Sequence, residues 1–258
     1  MIHRVLAFVS LTVMSAILIG QAALADTAKP TVAISLDIPP YVMDKATTGL
    51  EVDIMRGALA EDALTFTQMP YADLQTAVQK GRADVSVAVR QNGDETVFYS
   101  DPFITFENVA ASKKNDNLKI DDIDDLAGHQ VLTWQGADRE LGADFERVFA
   151  PDSPDRANYV EVPNQENQVR LFWERQGSVA VIDRSIFVYF TKALGHSMDE
   201  VTLHHLFPPV TDFRAAFKDS KLRDTFNLRL AELCRTGEYE ALLERYDVIL
   251  QKTVCDKE

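Results

Sequence analysis

Short apolar strands alternate with amphipathic helices twice along this chain, and few folds accommodate that order. The first half has the pattern β-α-β-α-β over residues 31–89, and the second has β-α-β-α-β-α over residues 129–193. A strand is predicted for each apolar run, and a helix for each stretch with apolar residues three or four positions apart. This order indicates parallel strands joined by helices. The predicted fold class is therefore α/β, with two doubly wound lobes.

Glycine, proline and capping residues set the predicted boundaries of these elements. Asp138 is predicted to cap the helix over residues 137–149. The predicted strands are residues 31–36, 64–69, 84–89, 103–112, 129–134, 157–162, 178–182 and 215–217. The predicted helices are residues 49–64, 71–80, 137–149, 164–176, 185–193, 221–235 and 238–250.

Two segments are predicted to pass between the lobes, near residues 106–112 and near residues 205–213. Lobe 1 then comprises residues 26–109 and 208–258, and lobe 2 comprises residues 110–207. Two strands that join two lobes form a hinge, and ligands of such proteins bind in the crevice between the lobes. We therefore expect an interlobe binding site.

The first 25 residues predict a cleaved secretory signal peptide. They contain a basic start, an uncharged apolar run over residues 5–19 and the sequence Ala23-Leu24-Ala25. A membrane anchor is the alternative, but the run is shorter than the about 20 residues that a span needs. The mature chain is therefore expected in the periplasm, with no membrane insertion.

The formal net charge of −14 argues against two classes of partner. So acidic a surface repels the phosphates of nucleic acids and of anionic membranes. Cys234 and Cys255 are the only cysteines, and an exported protein favours their pairing. The bridge requires the tail after the last predicted helix to fold back, and two free thiols are the alternative. Neither cysteine has the neighbours of a zinc site, and no cofactor is expected.

A polar loop that carries Arg90 follows the third predicted strand. A buried strand that ends at an arginine is typical of the edge where an open α/β sheet meets its ligand. Arg90 is therefore predicted to line the crevice. The alternative is a surface ion pair with Asp94 or Glu95.

Several short segments, taken together in order and spacing, resemble the periplasmic solute-binding proteins of family 3. They are Pro39-Pro40-Tyr41, residues 49–53 (GLEVD), 81–84 (GRAD), 99–103 (YSDPF), 125–128 (DLAG) and Gly237-Glu238-Tyr239. The resemblance covers essentially all of the mature chain. It implies a type II periplasmic-binding-protein fold that closes over its ligand like a hinge. It also implies service to an ABC importer, mostly for polar amino acids.

The resemblance implies a set of ligand contacts. Asp37 and Tyr41 follow the first strand, where the family has a ligand contact and a stacking aromatic ring. Tyr71 matches an aromatic residue that covers the ligand side chain. Asp183 matches the carboxylate that receives an amino-acid ammonium group. The alternatives are an ion pair of Asp183 with Arg184, and tyrosines that only border the core.

The chain departs from the family pattern at Gly93, at Ala88, where the family has a small hydroxyl residue, and at Gly136-Ala137-Asp138. Gly93 stands where amino-acid binders have the arginine that clamps the ligand carboxylate, and Arg90 lies three positions earlier. Where the family has Gly followed by Thr or Ser, this chain has Gly136-Ala137, and Asp138 places an acid at the start of the predicted helix. Asp138 is interpreted as a helix cap or a ligand group, and it repels an anion unless Arg90 or Arg139 neutralises it. Gln165 is predicted either to cap the next helix or to reach the crevice.

The leading hypothesis is a monomeric, non-catalytic protein that captures a small polar solute for an inner-membrane ABC permease. One alternative is an accessory or sensor protein that docks on a periplasmic redox enzyme or receptor. Another is a dehydratase of the cyclohexadienyl type, with Glu51, Glu107 or Asp138 as the candidate general acid. His204 and His205 are adjacent on a strand and point to opposite faces, so no metal site is expected there.

Overall fold

The computed structural model describes residues 29–59, 64–91, 93, 95–208 and 211–256. The predicted signal peptide and Asp94 lie outside these residues. Within them the chain forms two mixed β-sheets flanked by seven α-helices. The predicted α/β fold class is confirmed.

The strands are short, and the central ones are fully buried. In chain order they are β1 (Thr31–Ser35), β2 (Thr65–Met69), β3 (Val85–Val89), β4 (Phe98–Tyr99), β5 (Ile104–Phe106), β6 (Asn108–Lys113), β7 (Gln130–Thr133), β8 (Tyr159–Glu161), β9 (Ser178–Asp183), β10 (Val201–His204) and β11 (Thr211–Phe217). The apolar sequences of β3 and β9 suit strands that are covered on both faces.

The chain divides its strands between the two sheets. The first sheet has the order β2-β1-β3-β11-β4, with β5 also paired to β11, and β1 to β3 are parallel. The second has the order β10-β6-β9-β7-β8, with β7, β8 and β9 parallel. The chain changes sheet after β5 and again between β10 and β11. The exact lobe limits stay a prediction.

The helices cover the faces of the sheets. In chain order they are α1 (Leu50–Leu59), α2 (Tyr71–Leu74), α3 (Ala143–Phe149), α4 (Gln165–Glu174), α5 (Arg184–Ala193), α6 (Ser220–Thr236) and α7 (Glu238–Arg245). α1 packs against α6 and α7 over the core of the first sheet. None of the helices in the described ranges has the length and apolarity that a bilayer crossing requires.

The long strand predicted over residues 103–112 is wrong, because the chain breaks at Glu107. Its backbone N–H donates to Asp183 Oδ2 at 3.1 Å, and its carbonyl accepts the N–H of Arg184 at 2.8 Å. The bond from Arg184 begins the antiparallel pairing of β6 with β9 beside Asn108 and Asp183, whereas the N–H of Glu107 is bound by a side chain rather than by a strand partner. β5 can therefore pair in one sheet and β6 in the other.

Three predicted helices are shorter than their sequence periodicity indicates, and one of them is the helix expected over residues 238–250, which ends at Arg245. The helix expected over residues 71–80 ends at Leu74, and the chain continues in turns to Gly81. The helix expected over residues 137–149 is a 3-10 turn followed by α3, with Gly142 between them at a φ of 98°. A left-handed φ ends a helical run, and glycine adopts it without strain.

Two predicted helix caps are also wrong. Asp138 lies inside the 3-10 turn and makes no cap hydrogen bond. Asn164 caps α4, because its side chain accepts the N–H of Asn167 at 2.9 Å, and so Gln165 is not the cap.

The predicted disulfide is present and ties down the C-terminal tail. Cys234, in α6, is bonded to Cys255, and their Cα atoms lie 5.3 Å apart. The tail folds back over the segment between β5 and β6, where Gln251 Nε2 donates to Glu107 Oε1 at 3.1 Å. The carbonyl of Lys252 accepts the hydroxyl of Thr105 at 3.3 Å. The bridge therefore fixes a segment that contacts the first crossing between the sheets.

Candidate functional site

Two tyrosines of the first sheet reach carboxylates of the second. Tyr41 follows β1, and its hydroxyl donates to Asp183 Oδ1 at 3.1 Å. Tyr71 begins α2, and its hydroxyl donates to Glu140 Oε2 at 3.2 Å. These bonds bring the carboxyl ends of β1 and β9 together, and ligands of open α/β sheets bind at such strand ends.

Asp183 is the most heavily hydrogen-bonded of the predicted contacts. Besides Tyr41, its carboxylate accepts the N–H of Ile186 at 3.0 Å, as the cap of α5, and the N–H of Glu107 at 3.1 Å. Burial nevertheless raises the pKa of Asp183 to about 7. Arg184 contacts Glu107 and the carbonyl of Ile249, so Arg184 is not the partner of Asp183 and that alternative is wrong.

Tyr41 is fully buried in the hydrophobic core that joins the two sheets, as the alternative interpretation of this residue expected. Burial, followed by the negative charge of Asp183, holds the pKa of Tyr41 well above its usual value. The hydroxyl therefore stays protonated and acts as a hydrogen-bond donor at neutral pH.

Glu140 is a cleft residue that the sequence did not single out. It lies in the loop before α3, is half-buried, and accepts the hydroxyl of Tyr71. Burial raises the pKa of Glu140, while the bond from Tyr71 and the positive charges of Arg90 and Arg139 oppose that rise. Burial, then the charge of Glu140, also raises the pKa of Tyr71.

Arg90 lies at the carboxyl end of β3, as predicted for a crevice residue. Its guanidinium lies 5.3 Å from the ring centroid of Phe213, and its backbone N–H donates to Gln75 Oε1 at 3.1 Å. Gly93, which stands at the family's arginine position, is exposed with a φ of 77°. Arg90 is exposed, and its role as the cation of the crevice stays a prediction.

Four rings form a continuous line through the cleft, here named the aromatic row. Tyr41 and Phe106 have centroids 4.5 Å apart, Phe106 and Phe213 are 5.0 Å apart, and Phe213 and Tyr71 are 6.5 Å apart. The last two pairs meet edge to face, a favourable geometry for aromatic side chains. The row joins the Tyr41–Asp183 bond to the Tyr71–Glu140 bond.

Glu51 lies beside the row as a fully buried acid. It is in the first turn of α1, where its N–H donates to the carbonyl of Tyr41 at 3.0 Å. Neither carboxyl oxygen has a hydrogen-bond partner among the described residues. Burial raises the pKa of Glu51 to about 8, and its charge raises the pKa of Tyr41 and of Tyr71. The group is therefore largely protonated at neutral pH.

Asp138 and Asp37 make contacts of a structural kind. Asp138 is buried, and its Oδ2 accepts from Arg156 at 2.9 Å. Arg156 thus supplies its nearest neutralising charge, and Arg139, one of the two arginines expected in this role, lies farther away, with Nε 3.9 Å from Asp138 Oδ1. Asp37 is exposed, and its carboxylate accepts the N–H of Lys45 at 3.1 Å and the amide of Gln68 at 2.7 Å.

Gln165, in contrast, has unused hydrogen-bonding capacity. It begins α4, and its buried Oε1 has no partner in the part of the chain that the structure describes. Its predicted role as a cleft contact stays a prediction.

The histidine pair faces two ways, as expected. His204 contacts the hydroxyl of Ser112 through Nε2 at 2.9 Å, whereas His205 Nδ1 lies 3.5 Å from Glu107 Oε1. No group of three or more His, Cys, Asp or Glu residues suited to a metal ion occurs within the described ranges.

Comparison with known proteins identifies the fold. The profile of the bacterial extracellular solute-binding proteins, family 3, matches residues 31–248. A solved histidine kinase sensor domain with similarity to periplasmic binding proteins is 20% identical, with a TM-score of 0.69 over 87% of this chain and 98% of that chain. No curated protein matches the sequence.

Two solved structures with bound amino acids are also similar. An amino acid ABC transporter substrate-binding protein from Streptococcus pneumoniae, bound to L-arginine, is 18% identical, with a TM-score of 0.66 over 85% of this chain and 94% of that chain. The GluR0 ligand-binding core from Nostoc punctiforme, in complex with L-glutamate, is 18% identical, with a TM-score of 0.65 over 84% and 98%. At these identities the likeness extends to the fold alone.

Proposed function

Since the chain belongs to the bacterial extracellular solute-binding proteins of family 3, we propose that it captures a small polar solute between its two sheets for an ABC importer. The mature chain acts as a monomer in the periplasm after removal of residues 1–25 and delivers the solute to an inner-membrane permease. The proposed contacts are Asp37, Tyr41, Tyr71, Arg90, Gln165 and Asp183. Asp138 is not among the proposed contacts, because it forms an ion pair with Arg156.

A group of buried polar atoms at the strand ends carries this proposal. Ser35 is the last residue of β1, Thr133 is the last residue of β7, and Gln165 is the first residue of α4. The atoms concerned are Ser35 Oγ, Thr133 Oγ1 and Gln165 Oε1. The carboxyl of Glu51 and the Nε2 of Gln75 join them, and none of these atoms has a hydrogen-bond partner in the described residues. A buried polar atom without a partner costs about 1–3 kcal/mol. A polar solute supplies the missing partners.

Thermal unfolding with four classes of solute tests the proposal: amino acids, amines, organic acids and polyols. A solute at about 100 times its Kd stabilises the folded state by about 2.7 kcal/mol, so a cognate compound raises Tm by several degrees. Calorimetric titration then gives Kd, which we expect at micromolar or below.

Variants localise the binding. Thr133→Val and Gln165→Leu, each of which removes one of the buried atoms without a partner, are expected to weaken it at least tenfold, whereas Glu146→Gln, on the exposed face of α3, leaves it unchanged. The proposal fails if no class of solute raises Tm, or if the two cleft variants bind as well as the wild type.

A sensor or accessory role is the second candidate, and the similar histidine kinase sensor domain favours it. In that role the closed protein docks on a receptor or enzyme rather than on a permease. The genes beside it distinguish the two: a permease and an ATPase for import, a receptor or redox enzyme for the alternative.

A catalytic role has less support. The family and the similar solved structures are binding proteins, which favours a non-catalytic role. Incubation with prephenate or arogenate is expected to leave both compounds unchanged, and an aromatic product would revive the dehydratase alternative.

A further inference from the structure

The aromatic row suits a cationic solute. The guanidinium of Arg90 already lies over Phe213, which is the geometry of a cation–π contact. Tyr41 and Phe106 continue the same row toward the deeper part of the cleft. Aromatic faces carry negative potential and attract organic cations whether or not these bear N–H groups.

Carboxyl groups surround the row. Asp183 lies at the Tyr41 end, Glu140 at the Tyr71 end, and Glu51 next to Tyr41, whose carbonyl accepts the Glu51 N–H at 3.0 Å. The positive charges of Arg90 and Arg139 act on Glu140 alone among these three acids. Neither Glu51 nor Asp183 forms an ion pair with another described residue: the Glu51 carboxyl has no hydrogen-bond partner, and Asp183 accepts from Tyr41 and from the backbone N–H groups of Glu107 and Ile186.

The surroundings of Glu51 are the strongest single evidence for a cationic solute. Its side chain is completely buried, and both of its oxygens lack a hydrogen-bond partner in the described part of the chain. An ionised carboxylate is stable at such a place only when a cation or several donors reach it. A bound ammonium or guanidinium group provides both the charge and the donors.

Among the described residues, Arg90 is the cation that lies over a ring of the aromatic row, and it already has an acid on the same side. Its guanidinium lies over Phe213, the ring of Phe213 meets that of Tyr71, and the hydroxyl of Tyr71 donates to Glu140. A ligand carboxylate near Arg90 must displace Glu140 or lie beside it, and like charges at such distances repel. Amino acids, which carry a carboxylate, meet this obstacle.

We propose that the solute of this cleft is a small organic cation without a carboxylate, held by the Glu51 carboxylate and the aromatic row, and that Glu140 excludes ligands that carry an anionic group. This inference rests on the proposed function and narrows it to a class of solute. Glu140 is its specificity-determining residue.

Matched pairs of compounds test the proposal, because each pair differs only by a carboxylate. Calorimetric titration compares agmatine with L-arginine and cadaverine with L-lysine, and includes choline as a cation without N–H groups and succinate as an anion. We expect the best cation without a carboxylate to bind at least tenfold more tightly than every zwitterion or anion.

Two variants assign the roles. Glu51→Gln is expected to weaken binding of the preferred cation at least tenfold. Glu140→Gln is expected to raise the affinity for L-arginine and L-lysine, so the ratio of the affinity for the cation to the affinity for the matching amino acid becomes smaller in each pair. Glu146→Gln, an exposed acid on α3, serves as the charge-matched control and changes neither value. Circular dichroism and Tm confirm that each variant folds. If Glu51→Gln does not fold, the change that Glu140→Gln causes in the affinity ratio of each pair tests the proposal by itself.

The inference is overturned if an amino acid or an anion binds as tightly as the best cation, or if Glu140→Gln leaves the ratio within each pair unchanged. Such a result leaves the proposed function intact, provided that Thr133→Val still weakens binding of that solute. If no solute of any class binds, the proposed function fails together with the inference.

Discussion

Tyr41 and Tyr71 each donate a hydrogen bond from the first sheet to a carboxylate of the second, but the two carboxylates have different surroundings. Asp183 is 4% exposed and also accepts the backbone N–H groups of Ile186 and Glu107. Glu140 is half-buried in a loop. The Tyr41–Asp183 bond, here named the inner bond, therefore involves a residue that also caps a helix and binds the break between two strands. The Tyr71–Glu140 bond, here named the outer bond, joins two partly exposed residues.

The two bonds are therefore expected to have different roles: the inner bond stabilises the fold, and the outer bond rearranges when a solute binds. Loss of the inner carboxylate leaves Tyr41 and two backbone donors without their acceptor, so it affects the fold. The outer bond joins two half-buried side chains that water reaches when the sheets part. We infer that a solute competes with the outer bond and leaves the inner one in place.

The largest effect is expected for Asp183→Ala. The change removes the cap of α5 and the acceptor of the Tyr41 hydroxyl and of the Glu107 N–H, so the free energy of unfolding falls by on the order of 4 kcal/mol. Urea denaturation at neutral pH measures it. Glu140→Ala is the matched variant, with an expected loss below about 1 kcal/mol, and equal losses would break the comparison.

A pH effect of about 3 kcal/mol is expected from Glu51, the acid next to Tyr41. Its pKa is about 8 in the folded protein and 4.5 when unperturbed. Between about pH 5.5 and pH 7.5 the unfolded chain has therefore released a proton that the folded protein keeps. Stability then falls by about 1.4 kcal/mol per pH unit as pH rises.

Glu51→Gln isolates that contribution, because an amide does not titrate. Denaturation of the wild type and the variant at several pH values gives the difference in slope, with Glu146→Gln as the exposed control. The variant gains stability relative to the wild type as pH rises. If the free energy of unfolding depended on pH in the same way in the wild type and in the variant, Glu51 would not be a buried acid without a hydrogen-bond partner.

The smallest effects compare the two hydroxyl groups directly. Tyr41→Phe deprives the buried Asp183 of one donor and is expected to cost about 1–2 kcal/mol, whereas Tyr71→Phe costs about 0.5 kcal/mol or less. Both changes keep the ring in the aromatic row. Thermal and urea unfolding measure the two costs, and a larger cost for Tyr71→Phe would reverse the assignment of inner and outer bonds.

Local patterns predicted much of the fold. The buried strands β3 and β9 are uninterrupted apolar runs, and the acid that ends β9, Asp183, was expected at the cleft. The pairing of Cys234 with Cys255 followed from compartment and chain reach, and the structure contains it. These features depend on residues close in sequence or on a simple length argument.

The rest depended on partners that are distant in sequence. Asp138 has the position of a helix cap, yet Arg156, eighteen residues later, binds its carboxylate. The break at Glu107 depends on Asp183, which is 76 residues away. Glu140 has no distinctive sequence context, and only its bond to Tyr71 places it in the cleft. Glu51 resembles any acid in a first helical turn, so its burial without a partner could not be read from the sequence.

A crystal structure with the most stabilising solute of the thermal screen tests the central claim most directly. We predict density for the solute between the two sheets, against the aromatic row and within hydrogen-bond distance of Glu51 and of at least one of Ser35, Thr133 and Gln165. Density only on the outer surface, with those buried atoms still unpartnered, would contradict the account.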